Sequence, residues 1–214
     1  MQKNIIFVWT ILISLCLLVI ACGNQKNTVS FPETIYTSHG FAIQLPRGKT
    51  WLHKVGKNET LMSVKKLPKD GTHSFYTGAV EIVMASEFNS PQQFLEVIKQ
   101  KKESTPHPKD YRLIEAEYKL QPNISPFCVY YHQKIEDHVA KNIGSNEFLI
   151  LENFGYSVLH PEMPKHGIDI FYSERYANGE SSQELRKEGI DYLKTLKIVS
   201  EKEMQELIQE QNQN

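Results

Sequence analysis

Cysteine is scarce in this chain, and so is any excess of one charge. Only three cysteines occur in 214 residues, at positions 16, 22 and 128. There is no Cys-x-x-Cys pair, which leaves out a thioredoxin-like redox centre and the common zinc knuckles. Lysine and arginine together number 24 against 25 aspartates and glutamates. No basic block is interleaved with aromatic residues, so nucleic acid is excluded as a partner. The chain also lacks a Gly-x-Ser-x-Gly elbow, a His-Glu-x-x-His helix, a Ser-x-x-Lys set and a Gly-x-Gly-x-x-Gly turn. The catalytic and cofactor classes that those motifs identify therefore have no local signature here, and neither catalytic residues nor a cofactor are expected. No internal repeat is present, which removes solenoids and propellers.

One further absence is local. Between Ile5 and Ala21 there is no carboxylate, lysine, arginine or histidine, and Lys3 precedes the run. A cationic start, an apolar core and small residues at its end form the layout of a secretory signal. The run is shorter than the about 20 residues that a spanning helix needs. It ends Val19-Ile20-Ala21-Cys22. This tetrapeptide resembles the lipobox of bacterial lipoproteins: an aliphatic residue, a tolerant position, a small residue, then cysteine. The resemblance implies cleavage before Cys22 and acylation of its sulfur. Two or more acyl chains give stable anchoring where one does not. Gly23 is not the aspartate that would imply retention at an inner membrane. The expected location is the bacterial cell envelope, at the outer membrane where two membranes exist and otherwise on the outer face of the cell membrane. The bilayer, reached through Cys22, is the first expected partner.

With residues 1–22 removed as a signal peptide, residues 23–32 read as a polar tether, because Asn24, Gln25, Lys26 and Asn27 offer nothing to pack. Residues 33–199 suit one domain and residues 200–214 a short tail helix. Cys128 is then the one free thiol, so no intramolecular disulfide staples the domain.

Alternation and turn chemistry place strands at 34–38 and 41–45 around His39-Gly40, then at 51–55, 60–66 and 78–85, with Pro68-Lys69-Asp70-Gly71 as a turn. Ser90-Pro91-Gln92-Gln93 is a helix start, with a serine cap, proline at the first helical position and glutamine three after the cap. That helix runs to about Glu103. Its Lys99, Lys101 and Lys102 read as a solvated end. Strands follow at 111–120, 127–136, 147–160 and 167–176, with Gly155 marking a bulge. Ser181 caps a second helix carrying Leu185, Ile190, Leu193 and Leu196 on one stripe. Ser200 with Glu203 opens a third helix, with Met204, Leu207 and Ile208 as its stripe.

Hairpin-spaced strands with helices inserted singly give an α+β fold with an antiparallel sheet flanked by helices. The segment Gly40-Phe41-Ala42-Ile43-Gln44-Leu45-Pro46 with Trp51 nearby, a helix, a run of strands and a closing helix ending Tyr192-Leu193-Lys194-Thr195-Leu196-Lys197-Ile198 resemble the PsbP-like family. Photosystem II accessory proteins and many bacterial lipoproteins share that fold. The resemblance implies an α/β/α sandwich over residues 33–198 and a role in binding or assembly, with an envelope protein or a small ligand as second partner.

Several residues invite chemistry. Arg47-Gly48-Lys49-Thr50 resembles the end of a phosphate-binding loop, but Ile43 stands where its first glycine belongs and a strand, not a helix, should follow. Cys128 and His132 share a strand face, yet four positions at about 3.3 Å each separate them by roughly 13 Å. An inert thiol is expected. His160, Glu162 and His166 occupy one loop stiffened by Pro161 and Pro164, and are donor types suited to zinc. They are the candidates for a metal-dependent envelope hydrolase, the alternative to a binding module. His132, Lys134, Glu136 and His138 read as the polar side of a half-exposed strand.

Overall fold

The computed structural model describes residues 35–212, apart from 49, 56–59, 68–72, 86, 105, 106, 108, 140–147, 178 and 180. The lipobox, the tether and the turn at 68–71 lie outside the described residues. Within them the chain forms ten strands and three helices.

Strands β1 (Ile35–Ser38) and β2 (Phe41–Gln44) are joined by His39 and Gly40. Both linking residues have positive φ, 41° and 83°, as the two-residue hairpin turn that matches strand twist requires. β3 (Trp51–Val55), β4 (Leu61–Lys65) and β5 (Ser74–Val83) then run as an antiparallel meander. Helix α1 (Pro91–Glu103) begins as its sequence demands: the Ser90 hydroxyl accepts from the Gln93 N–H at 3.2 Å. The Gln93 side chain returns the bond one residue early, to the N–H of Asn89. Strands β6 (Tyr111–Leu120), β7 (Cys128–Asp137), β8 (Leu149–Leu159) and β9 (His166–Tyr176) follow. Helix α2 (Gln183–Leu193), a two-residue strand β10 (Lys197–Ile198) and helix α3 (Glu201–Asn212) close the chain.

Seven strands make one antiparallel sheet in the order β3-β4-β5-β9-β8-β7-β6, and β1-β2-β10 make a small second sheet. Period-two alternation sends neighbouring residues to opposite faces. Cys128 and Val158, paired across β7 and β8, join one core with Phe41, Ile170, Tyr172 and Leu193. Val129 and Leu159, one position along each strand, join another with Phe94 and Ile98 of α1. Helix α2 and the small sheet therefore cover one face of the large sheet, and α1 covers the other. The α+β reading with helices on both sides of an antiparallel sheet is what the described residues form.

Several local expectations are corrected. The second helix is capped by Ser182 rather than Ser181, and it stops at Leu193. Lys197 and Ile198, read as its continuation, instead extend beside Ala42 and Phe41. Ile190 is exposed, so it lies off the buried stripe. Gly155 marks no bulge. It pairs in register with Tyr131 and Phe171. A Cβ there would stand 2.4 Å from the Ile170 carbonyl oxygen and 2.6 Å from the Tyr131 hydroxyl. The register shift lies in β6, between Leu113 and Glu115. β5 starts four residues earlier than its alternation implied. Lys102 leaves the solvated end of α1: its Nζ reaches Asp169 at 2.6 Å and lies 3.8 Å from the Tyr131 ring centre.

Helix α2 rests on the sheet through Gly189, where an added Cβ would stand 2.3 Å from the Tyr172 ring. In a free helix Gly→Ala gains about 1 kcal/mol. Here overpacking costs about 1–3 kcal/mol. Gly189→Ala is expected to lower stability in urea unfolding, against the sign that helix propensity alone would give.

Candidate functional site

The face beneath α2 carries a chain of polar and aromatic side chains. The Phe154 ring stacks between His132, with ring centres 4.1 Å apart, and Tyr172, at 4.8 Å. Beside it, Glu152 is buried and accepts hydrogen bonds from His132 Nε2 at 2.7 Å, Tyr176 Oη at 2.7 Å and Arg186 at 2.9 Å. Burial alone would push this carboxyl up. The bonds from His132 and Tyr176 and the charge of Arg186 outweigh burial and hold it at about 2. Glu174, also buried, accepts from His73 and from the backbone N–H of the cap residue Ser182. The two carboxylates are satisfied by these donors, and through Arg186 and Ser182 they fasten α2 to β8 and β9.

Most candidates from the sequence join this structural work. His132, Lys134 and Glu136 do share a face, but Glu136 is buried and paired with Arg112 and His138, so this side of β7 is less open than a solvated strand face. Cys128 is fully buried, and burial raises its thiol to about 12, far from the thiolate character a nucleophile needs. After Thr50 the chain enters β3, so no helix N-terminus stands behind Arg47 and Gly48.

The structure divides the His160, Glu162 and His166 set. His160 is 3% exposed. Its Nε2 donates to the Val199 carbonyl at 3.3 Å and its Nδ1 accepts from the Glu162 N–H at 3.2 Å. Both ring nitrogens are engaged, and the ring packs edge-on against Phe41. His160 is the seat of the β1–β2 hairpin: a Cβ on Gly40 would stand 2.5 Å from its ring. Glu162 points to solvent. Only His166 converges with other donors, and they come from elsewhere: Glu81 on β5 and His39 in the hairpin turn. Glu81 went unremarked in the sequence because no local spacing connects it to either histidine.

A hollow also lies on this side of the sheet. A groove of about 500 Å³ runs between the β2–β3 connection and α2. Trp51 and Tyr192 line it with the cations Arg47 and Lys65 and the carboxylates Glu188 and Asp191. Lys65 pairs with Glu188 across it. An aromatic wall with both signs of charge at hand can hold a ligand that is partly apolar and carries polar groups.

No family model and no curated protein matches this chain. Two solved structures are similar in outline. One is the Ran-binding protein Mog1p of Saccharomyces cerevisiae, at 7% identity and a TM-score of 0.35 over 75% of this chain and 91% of that one. The other is a point mutant of Mog1, at 7% identity and a TM-score of 0.36 over 81% of this chain and all of that one. Among the described residues, no helix is long and apolar enough to cross a membrane.

A carboxyl held below its ordinary 4.5 stabilises the fold above that value and loses the effect as pH falls toward about 2. Glu152→Gln is expected to cost about 2 kcal/mol at neutral pH, with a smaller deficit at pH 3, measured by denaturant unfolding at both. Cys128 is expected to resist a disulfide reagent in the native protein and to react in step with unfolding, followed by absorbance.

Proposed function

We propose that this chain is a lipid-anchored lipoprotein of the bacterial envelope whose domain is a PsbP-like binding or assembly module. The observation that carries the anchor is Val19-Ile20-Ala21-Cys22 at the end of an uncharged apolar run behind Lys3. Cys22 takes the acyl chains, and residues 23–32 tether the domain to the bilayer. What supports a binding role is the groove between the β2–β3 connection and α2. It holds about 500 Å³, against about 300 Å³ in a second hollow beside the end of α1. The groove has Arg47 at its rim and Trp51 in its wall. The occupant is another envelope component, a protein segment or a small ligand, that presents polar groups to Arg47 and apolar surface to Trp51.

Metabolic labelling with palmitate tests the anchor. Label is expected on the wild type and absent from Cys22→Ser; label that survives the substitution ends this reading. A photo-crosslinking residue at Arg47 tests the groove in living cells. A discrete adduct is expected there and not from the same residue at Val97, on the exposed side of α1.

A further inference from the structure

Two imidazoles and a carboxylate meet where the hairpin of the small sheet touches the large one at the end of β5 and the start of β9. His39 Nδ1 lies 3.0 Å from Glu81 Oε1, and His166 Nδ1 lies 3.5 Å from the same oxygen. The two rings stack with centres 5.3 Å apart and planes 13° apart. One ligand atom from each of the three residues lies within 4.8 Å of the others. The cluster joins distant parts of the chain. His39 comes from the turn between β1 and β2, while Glu81 and His166 stand diagonally on the adjacent strands β5 and β9.

Two observations mark it as more than a surface ion pair. First, His39 holds φ at +41°, in a two-residue turn where asparagine or glycine is the unstrained choice. Backbone strain at a side chain that converges with others is a pointer to function. Second, His166 Nδ1 is buried and makes no hydrogen bond, although Glu81 Oε1 is the nearest carboxylate atom. A buried polar atom without a partner carries the desolvation cost of a lost bond.

We propose that His39, Glu81 and His166 form a binding site for a divalent cation of the zinc class. Metal–ligand bonds of about 2.0–2.1 Å at the tetrahedral angle put donor atoms about 3.3 Å apart. The two contacts of the carboxylate oxygen, 3.0 and 3.5 Å, bracket that spacing. A cation among the three gives His166 Nδ1 its missing partner. Two imidazoles with one carboxylate favour zinc and its neighbours over calcium or magnesium, which take all-oxygen shells. The histidine side chains are 42% and 38% exposed, so a fourth position opens to solvent and takes water. The ion pins the hairpin turn of the small sheet to β5 and β9. This site is independent of the lipid anchor and of the groove, and neither reading fails with it.

The test uses the full chain in detergent, without an affinity tag and stripped with a chelator. Zinc is titrated against a chromophoric competitor, and thermal unfolding is followed with and without zinc. One equivalent is expected to bind and to raise the melting temperature. His39→Asn keeps a residue at ease with positive φ and so preserves the hairpin. Its affinity, and that of His166→Gln, is expected to fall at least about tenfold, as ligand-shell losses do, and zinc no longer raises the melting temperature of either. His138→Gln, which removes a half-exposed histidine elsewhere, leaves the affinity unchanged. Less than one equivalent on the wild type, or equal affinity in wild type and His39→Asn, overturns the proposal.

Discussion

Covering both faces of one antiparallel sheet is the constraint from which the rest follows. β8 and β9 lie between other strands on both edges, so their backbone groups are paired and their side chains must find partners above and below. Alternate residues answer to different layers: Val158 and Ile170 to α2 and the small sheet, Leu159 to α1. Polar residues that alternation carries inward then need partners of their own, because an unpaired buried charge costs far more than a paired one stabilises. Glu152 and Glu174 on one side and Asp169 on the other are each met by a cation or a cluster of donors. Each of these carboxylates ties a helix to the sheet: Glu152 through Arg186, Glu174 through the N–H of Ser182, and Asp169 through Lys102.

Local chemistry was legible where one segment decides the matter. Ser90 and Pro91 fixed the start of α1, and Ser200 with Glu203 makes a reciprocal box at the start of α3. His39-Gly40 announced a hairpin, and β6 to β9 lie within a few residues of their alternating runs. What sequence could not supply came from the third dimension. Lys197 and Ile198 look helical by composition and become a strand only because β2 offers them a free edge. Gly155 and Gly189 look like interruptions, but each leaves room for a tyrosine from another element. Lys102 was grouped with its neighbours as solvated, and Asp169, 67 positions away, draws it inward.

The histidines make the same point about the candidate site. A loop that held His160, Glu162 and His166 within seven positions was the natural place to look for a metal. Sequence proximity is nevertheless a weak guide in a β-rich chain, where neighbours on a strand face apart and neighbours in space are a register away. His160 went into the core to support Gly40 and to receive the segment after β10 through Val199. That burial is what brings the hairpin turn, and with it His39, down onto Glu81 and His166. The residue that seemed to be a ligand is the support that lets another histidine converge on the site.

The short sheet also reaches both sites. His39 lies just before β2, and Gln44 and Leu45, at its other end, line the groove. From Phe41 to Gln44 the strand covers about 10 Å at about 3.3 Å per residue. β2 is held by β1 along this length on one edge, and otherwise by β10 at Phe41 and Ala42 and by the Thr195 hydroxyl, which accepts from the Gln44 N–H. Phe41 and Ile43 are packed into the core beneath it. A strand gripped on both edges and one face moves as a body rather than bending. Whatever holds the His39 turn in place therefore also holds the Gln44 end of the groove. By linkage, a cation at one end changes affinity at the other only to the extent that it binds two positions of this strand unequally.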